Sequence, residues 1–357
     1  MQLLDETNAA AYLRERGWVT PQERLSVRRL AGGVSNEVLY VARPDLVDRD
    51  FVLKQARPQL RTAEPWFASV ERIWREVEVL HVCQRLLLGD MQPEATQPGV
   101  LFAATPRVLH EDRDNYAFAM SAAPADHRVW KADLLGGRVQ PIIATACGRL
   151  LGRLHAGTWH DASVAAQLDD RRLYDELRLD PYYRFIARTQ SEHAPLFEAL
   201  IDETWRERHS LVHADFSPKN LLVYDGGLLL VDFETGHYGD PAFDLGFFLS
   251  HLVLKAAYHA PAHDAYLALT RSFWDSYEEE MAQAISGDDF ARLEQRAIRH
   301  FAACAWARLD GKSPVDYLDG PGRRDLVRQL CQSLLTQPSS EWETVLDDVH
   351  QRLANHS

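Results

Sequence analysis

The sequence predicts an α+β fold with two lobes, a small antiparallel β-rich N-terminal lobe and a large, mainly helical C-terminal lobe. Two patterns predict it. Runs rich in Val, Leu and aromatic residues, separated by turn residues, fill most of the first 120 residues, and helical patterns dominate from residue 138 onward. A chain of 357 residues is also too long for one small core. We therefore expect an N-terminal lobe at 1–120, a hinge at 121–126 and a C-terminal lobe at 127–357.

The elements of the N-terminal lobe follow from local patterns. An amphipathic stretch opens the chain, and a second stretch repeats apolar residues at Ile73, Val77 and Leu80, close to the helical period. The predicted elements are helices at 5–16 and 70–88 and strands at 24–31, 37–43, 51–56, 105–112 and 115–122.

The C-terminal lobe is predicted to be helical apart from one hairpin. Short strands at 221–224 and 228–232 flank the turn Asp225-Gly226-Gly227, which is a hairpin signal. The predicted helices are 139–157, 170–188, 192–208, 241–258, 261–285, 288–309, 322–335 and 339–354.

Composition excludes several classes of partner. The formal net charge is −13, whereas nucleic acids and anionic membranes need a basic face. The acidic N-terminus lacks the long apolar core of a secretory signal, and no run approaches the roughly 18 apolar residues of a membrane span. The four cysteines, which we expect to be buried free thiols, are widely spaced and lie in apolar surroundings. We therefore expect a cytoplasmic protein without a nucleic-acid or membrane partner.

The densest polar chemistry lies in the segment LVHADFSPKNLLVYDGGLLLVDFE. In a loop of this kind we expect Asp215 to orient an acceptor hydroxyl and take its proton, and Asn220 to offer a neutral oxygen to Mg²⁺. Asp232 follows a strand, where its carboxylate can join Mg²⁺ to nucleotide phosphates. His213 opens the loop as a supporting residue. The alternative is that these residues only form turns and caps.

The N-terminal lobe carries groups suited to a nucleotide. Lys54 lies in the apolar strand FVLKQA, where its burial is costly unless it is paired. We expect pairing to Glu76 on the following helix and contact with α- and β-phosphates. An edge strand with Lys54 facing solvent is the alternative. Backbone groups from Met120 to Ala123, including that of Ala122, are expected to meet the adenine edge.

A glycine turn lies between the first two predicted strands. Gly32 and Gly33 allow the backbone to approach an anion, and Ser35 or Asn36 can add a side-chain donor. An ordinary hairpin has the same pattern, so only the position of this turn before Lys54 favours a phosphate-covering role.

These motifs resemble the catalytic core of the protein-kinase-like small-molecule phosphotransferases, which include aminoglycoside phosphotransferases, choline kinases and methylthioribose kinases. The trailing GDPAFDLG adds to the resemblance. It implies ATP and Mg²⁺ as cofactors, a protein-kinase-like fold, and a role for Asp244 in bracing the catalytic loop while Asp240 fixes the turn. On sequence alone both are equally helix N-caps.

Other segments are similar to methylthioribose kinases in particular. These segments are VLKQARPQLR, ADHRVWKADLLGGRV and the D-x-E motif formed by Asp232 and Glu234. The resemblance implies that Glu234 is a further metal ligand. That family carries paired arginines where this chain has only Arg308, preceded by Ala307. The acceptor therefore stays open, and Arg308 and His155 are candidate substrate contacts, with a core role as the alternative for His155.

The leading hypothesis is an ATP- and Mg²⁺-dependent kinase acting on a hydroxyl of a small metabolite or antibiotic, as a monomer or homodimer. A protein kinase is one alternative, but the chain has Asp232-Phe233-Glu234 in place of D-F-G and lacks an A-P-E segment. A non-catalytic nucleotide-binding regulatory module is the other, although it predicts the loss of Lys54 or one of the loop residues, all of which are present.

Overall fold

The chain divides into two compact units in a computed structural model. The N-terminal unit comprises Met1–Arg85 and Thr105–His127, and the C-terminal unit comprises Leu86–Ala104 and Arg128–Ser357. The residues that the structure describes are 1–30, 36–46, 49–59, 69–87, 101–337 and 339–355.

The secondary structure of the described residues is mixed. In chain order the strands are β1 (Ser26–Arg29), β2 (Asn36–Ala42), β3 (Phe51–Ala56), β4 (Phe102–Ala104), β5 (Val108–Asp112), β6 (Ala117–Ser121), β7 (Arg128–Val129), β8 (Ser210–Val212), β9 (Leu221–Tyr224), β10 (Gly227–Leu230) and β11 (His237–Gly239). The α-helices are α1 (Ala9–Glu15), α2 (Arg72–Leu87), α3 (Trp130–Leu135), α4 (Pro141–Ala156), α5 (Ala162–Gln167), α6 (Arg172–Tyr174), α7 (Phe185–Thr189), α8 (Ala194–Arg206), α9 (Ala242–Tyr258), α10 (His263–Met281), α11 (Gly287–Asp310), α12 (Pro321–Thr336) and α13 (Trp342–Ala354). A π-helical segment, Asp175–Arg184, joins α6 to α7.

The N-terminal unit is built on an antiparallel sheet in the order β1-β2-β3-β6-β5. Strand β3 lies at its centre, and all six of its residues are buried. Because side chains alternate along a strand, Phe51 and Leu53 join the apolar core against α1, and Lys54 points to the opposite face. The central position of β3 rules out the solvent-facing edge strand considered for Lys54.

The C-terminal unit combines two small sheets with packed helices. Strands β9 and β10 form the predicted hairpin, with Gly226 at φ +75°, and β10 also pairs in parallel with β4. Strands β8 and β11 form a second, antiparallel pair. Helix α9 packs closely on α11 at Gly246, where an added Cβ would lie 2.4 Å from the backbone nitrogen of Phe301.

The predicted α+β class is confirmed. The five-stranded antiparallel sheet lies in the N-terminal unit, and long helices dominate the C-terminal unit. All four cysteines are free and buried, as predicted. Along the described parts of the chain, every helix is too short or too polar to cross a membrane. The elements absent from the sequence prediction are β4, β7, β8, β11, α3 and α5.

Candidate active site

Two loops of the C-terminal unit run side by side because their flanking strands pair. Strand β8 leads into the first loop, which ends at β9, and β10 leads into the second, which ends at β11. The hydroxyl of Thr235 donates to the carbonyl of His213 at 3.0 Å, and the N–H of Val231 donates to the carbonyl of Asn220 at 3.0 Å. These bonds bring the predicted metal ligands after β10 next to the predicted catalytic loop.

Asp215 is buried yet surrounded by donors. Its carboxylate lies 3.0 Å from Nη2 of Arg178 and 2.8 Å from Nζ of Lys219, and it accepts a hydrogen bond from Nδ2 of Asn220 at 2.9 Å. Burial raises the pKa of Asp215, but the two cations outweigh that effect, so its pKa lies below the ordinary value. The carboxylate is therefore ionised at neutral pH.

His213 positions Asp215 rather than exchanging protons with it. The backbone N–H of Asp215 donates to Nδ1 of His213 at 3.1 Å, so the ring proton is on Nε2, which faces the carbonyl of Val231 at 3.3 Å. Burial lowers the pKa of His213, which keeps the ring neutral. The ring also packs on Phe233, with the centroids 4.5 Å apart.

Asp244 holds the catalytic loop from behind. Its carboxylate accepts the backbone N–H groups of His213 and Ala214, both at 2.7 Å, and Ala214 has a φ of +61°. Asp244 is therefore not the N-cap of α9 that the sequence also allowed. His155 lies 3.3 Å from Asp244 through Nε2 and 2.9 Å from the hydroxyl of Tyr277 through Nδ1. Since His155 is fully buried and both ring nitrogens are occupied, it has no nitrogen left for a substrate.

Asp240 fixes the turn that precedes α9, whose N-cap position is Pro241. Its carboxylate accepts the N–H of Ala242 at 3.1 Å, in the first turn of α9, and pairs with Arg296 of α11 at 2.8 Å. Burial raises the pKa of Asp240, but Arg296 and His300 more than offset this, so the pKa is lowered. The turn before α9 is thereby tied to α11.

The predicted metal ligands offer oxygen atoms. Nδ2 of Asn220 is committed to Asp215, which leaves Oδ1 as the atom available to a cation. Asp232 is partly exposed and adopts a φ of +72°, a conformation that is uncommon outside glycine and is concentrated at functional sites. Glu234 is also partly exposed, and its charge and that of Asp232 both act on the pKa of Arg178. Such hard oxygen donors fit Mg²⁺.

The predicted partners Lys54 and Glu76 form an ion pair in the N-terminal unit. Nζ of Lys54 lies 2.6 Å from Oε2 of Glu76, and both side chains are buried. The pairing of β3 with α2 gives the lysine a fixed position.

The structure describes only some of the other residues that were predicted to bind the nucleotide. Asn36 opens β2 and is buried, and Met120 is buried in β6. The N–H of Ala122 donates weakly to the carbonyl of Asp50 at 3.4 Å. Gly32, Gly33 and Ser35 lie outside the described residues.

Two residues around Asp215 were missed by sequence reasoning. Lys219 lies within the HADFSPKN motif, four residues after Asp215, and that spacing could have indicated it. Arg178 comes from the π-helical segment, far away in sequence, and no local pattern signals it. Arg308, a predicted substrate contact, lies in α11 and donates to the hydroxyl of Ser313 at 2.9 Å.

Comparison with known proteins identifies relatives of this chain. The model of the phosphotransferase enzyme family (APH) matches residues 26–281. The methylthioribose kinase of Yersinia pseudotuberculosis serotype O:1b (strain IP 31758) is 24% identical over 275 residues, which cover 70% of this chain and 64% of that enzyme. The match thus spans less than two thirds of that relative. The methylthioribose kinase of Erwinia tasmaniensis is 25% identical over 308 residues, covering 76% of this chain and 73% of that enzyme.

Solved structures show the same fold. A choline/ethanolamine kinase family protein from Mesorhizobium loti has a TM-score of 0.51 at 17% identity, covering 97% of this chain and 100% of that one. A choline kinase from Cryptosporidium parvum Iowa II has a TM-score of 0.50 at 11% identity, covering 98% of this chain and 96% of that one. The predicted protein-kinase-like fold class is confirmed.

Proposed function

The chain belongs to the phosphotransferase enzyme family, and from this premise we propose that it is a small-molecule kinase that uses ATP and Mg²⁺ to phosphorylate a hydroxyl group. The observation that carries the proposal is the environment of Asp215. A buried carboxylate is kept ionised by Arg178 and Lys219, is fixed by Asn220, and lies beside oxygen donors suited to a divalent cation.

In the proposed reaction the acceptor oxygen forms a bond to the γ-phosphorus of ATP. The bond between that phosphorus and the bridging oxygen to the β-phosphate breaks, and ADP leaves. Asp215 orients the acceptor hydroxyl and takes its proton late. Because phosphoryl transfer passes through a loose transition state, most of the rate enhancement should come from positioning and charge neutralisation.

Other side chains position the nucleotide. Lys54, fixed by Glu76, would contact the α- and β-phosphates. Mg²⁺, when bound, supplies positive charge that neutralises the phosphate oxygens. Asn220 and Asp232 would hold it, with Glu234 as a further ligand. His213 and Asp244 keep the catalytic loop in its shape through the hydrogen bonds to its backbone.

The acceptor, the compartment and the assembly belong to the same proposal. Methylthioribose is the first acceptor to test, because the sequence relatives are methylthioribose kinases. The four free cysteines fit the reducing cytoplasm, and the net charge of −13 disfavours a nucleic-acid partner. The protein is proposed to act as a monomer or a homodimer.

The test is Asp215→Asn in a coupled assay of ADP release with Mg-ATP and candidate acceptors. Turnover should fall by about 100- to 10,000-fold, the usual contribution of a positioned base, while the affinity for Mg-ATP stays nearly unchanged. Asp202→Asn, at an exposed position of α8, is the matched control and should keep full turnover. Loss of nucleotide affinity with turnover retained would refute the role given to Asp215.

A further inference from the structure

Four basic side chains and one tyrosine form a group in the C-terminal unit. We call it the basic cluster, and it consists of Lys131, His251, Lys255, Arg308 and Tyr317. Two members lie on α9, one lies on α3, one lies near the end of α11, and the tyrosine follows α11. Over the described ranges of the chain, none of its cationic groups forms an ion pair with a carboxylate.

Lys255 is the deepest member of the basic cluster. It is 1% exposed, its Nζ donates to the carbonyl of His251 at 3.1 Å, and it lies 5.4 Å from the ring centroid of Tyr317. Burial, helped by the charges of Lys131 and Arg308, lowers the pKa of Lys255 to about 7. A buried ammonium without a counter-charge is costly and rarely kept without a function.

Three buried polar atoms of the same cluster are unsatisfied within the described part of the chain. Nε2 of His251, Nε of Arg308 and the hydroxyl of Tyr317 are buried and have no hydrogen-bond partner among the described residues. His251 is only 9% exposed. Since nearly all buried polar groups in proteins are hydrogen-bonded, these unsatisfied atoms, two of them N–H or O–H donors, around an ammonium indicate that a group with acceptor oxygens completes the cluster.

The basic cluster adjoins the catalytic loop through one face of α9. The guanidinium of Arg178, which pairs with Asp215, lies 5.8 Å from the ring centroid of Phe247. The ring of His251, one turn later on α9, packs on Phe247 with the centroids 4.9 Å apart. Lys219 is also near enough for its charge to lower the pKa of His251. The cluster therefore begins where the proposed acceptor hydroxyl would lie.

The cluster is open on one side. Lys131, Arg308 and Tyr317 are only partly buried, so the positive charge extends from the inner end of the cluster to the surface of the unit. A cationic acceptor would be repelled by these groups, and a neutral one would leave the ammonium of Lys255 uncompensated.

We propose that the basic cluster binds an anionic group, a carboxylate or a phosphate, on the molecule that accepts the phosphoryl group. The proposal rests on the kinase function proposed above and narrows its substrate to a small anionic hydroxy compound. Lys255 and Arg308 supply charge, and His251 and Tyr317 supply directional hydrogen bonds. The neutral sugar methylthioribose is then a poor acceptor.

The first test measures anion binding with the nucleotide already in place. The full chain, saturated with Mg²⁺ and a non-hydrolysable ATP analogue, is titrated with inorganic phosphate and separately with acetate, and thermal stabilisation is followed. We expect saturable stabilisation by at least one anion, and at least a 10-fold weaker apparent affinity in Lys255→Met, since a hydrogen bond from a charged donor is lost. Lys312→Met, at an exposed lysine, is the control and should bind as the wild type does.

The second test compares paired acceptors with Mg-ATP: glycerate with glycerol, and ribose 5-phosphate with ribose, with methylthioribose as a further neutral compound. The proposal is supported if the charged member of a pair has a kcat/KM at least 10-fold higher than the neutral member, and if Lys255→Met loses this preference mainly through KM. The pair that shows the preference tells whether the site binds a carboxylate or a phosphate. Equal or better use of a neutral acceptor overturns it while leaving the kinase function intact. Absence of any anion effect in the nucleotide-bound wild type also overturns it. Failure to bind Mg-nucleotide at all overturns the kinase function itself.

Discussion

Asp215 illustrates how single residues set the chemistry of this protein. Burial alone would favour its neutral form, yet two cations at 3.0 and 2.8 Å hold it as a carboxylate. The Lys219 side chain is 50% exposed, so solvent weakens its effect, whereas the Arg178 side chain is only 12% exposed and acts at lower effective dielectric. We therefore assign most of the depression of the Asp215 pKa to Arg178.

This assignment predicts a change in the pH dependence of turnover. Asp215 must be ionised to orient and deprotonate the acceptor, so kcat/KM should fall only when the pH drops through its lowered pKa. Arg178→Gln removes the charge that counteracts the effect of burial on Asp215, so the pKa of Asp215 rises. The acid limb of the pH profile should then move to higher pH. Arg184→Gln, in the same π-helical segment, should leave the limb in place. An unchanged limb in Arg178→Gln would assign the depression to Lys219 instead.

Lys255 predicts an effect of pH on the stability of the fold. Its pKa falls from 10.5 to about 7 on folding, so between these values the unfolded chain binds more protons and stability rises with pH. The loss of stability caused by the buried charge of Lys255 is therefore complete below about pH 7 and disappears as the pH approaches 10.5. Lys255→Met should raise the free energy of unfolding by on the order of 2 kcal/mol near neutral pH, and by much less at high pH.

Urea unfolding at about pH 6, below the folded-state pKa, and at about pH 9, between the two pKa values, measures this difference. Lys312→Met, at an exposed lysine, should give the same stability as the wild type at both values. A variant that is less stable than the wild type at the lower pH would show that Lys255 has a structural partner in the fold, and would count against an uncompensated charge.

At the scale of elements, α9 organises the C-terminal unit because it carries Asp244 and also His251 and Lys255 of the basic cluster. Its close approach to α11 is possible only because residue 246 lacks a side chain. An added Cβ would lie 2.4 Å from the backbone nitrogen of Phe301 and 2.5 Å from Cβ of His300. Both neighbours belong to a packed helix, and neither can move without displacing α11.

Gly246→Ala should therefore destabilise the protein although alanine is the better helix former. We expect a loss of about 1–3 kcal/mol from overpacking, against a gain of up to about 1 kcal/mol from helix propensity. Chemical denaturation measures it. Gly322→Ala in α12, where an added Cβ meets no atom within 4 Å, is the matched control and should be neutral or slightly stabilising. Equal effects at both positions would mean that α9 and α11 can separate freely.

The long elements could be predicted from sequence because each carries its own signal. Strand β3 was predicted at its observed bounds, and the hairpin was marked by its Asp-Gly-Gly turn. The missed strands β4, β7, β8 and β11 contain two or three residues each, too few to show any periodicity. The pairing of β4 with β10 joins residues more than 100 positions apart, and only tertiary packing determines it.

At the scale of the whole molecule, the motif residues were predictable and their environment was not. Lys54 with Glu76, and the residues of the HADFSPKN segment, follow from residue types at fixed spacing. Arg178 and the basic cluster come from elements far apart in sequence, so their proximity is a product of the fold. Lys255 did leave one signal, because it is the only lysine or arginine in the mostly apolar helix α9.

The proposed metal site predicts how the whole molecule responds to nucleotide. A ligand that binds only the folded state stabilises it, by about 2.7 kcal/mol at a concentration 100 times its Kd. ATP should therefore raise the melting temperature by a few degrees with Mg²⁺ and by much less without it. Asp232→Asn should remove this dependence on Mg²⁺, because an amide is a far weaker ligand than a carboxylate. Asp225→Asn, in the exposed turn of the hairpin, should retain it. A full Mg²⁺ effect in Asp232→Asn would place the metal elsewhere and remove the support that Asp232 gives to the kinase proposal.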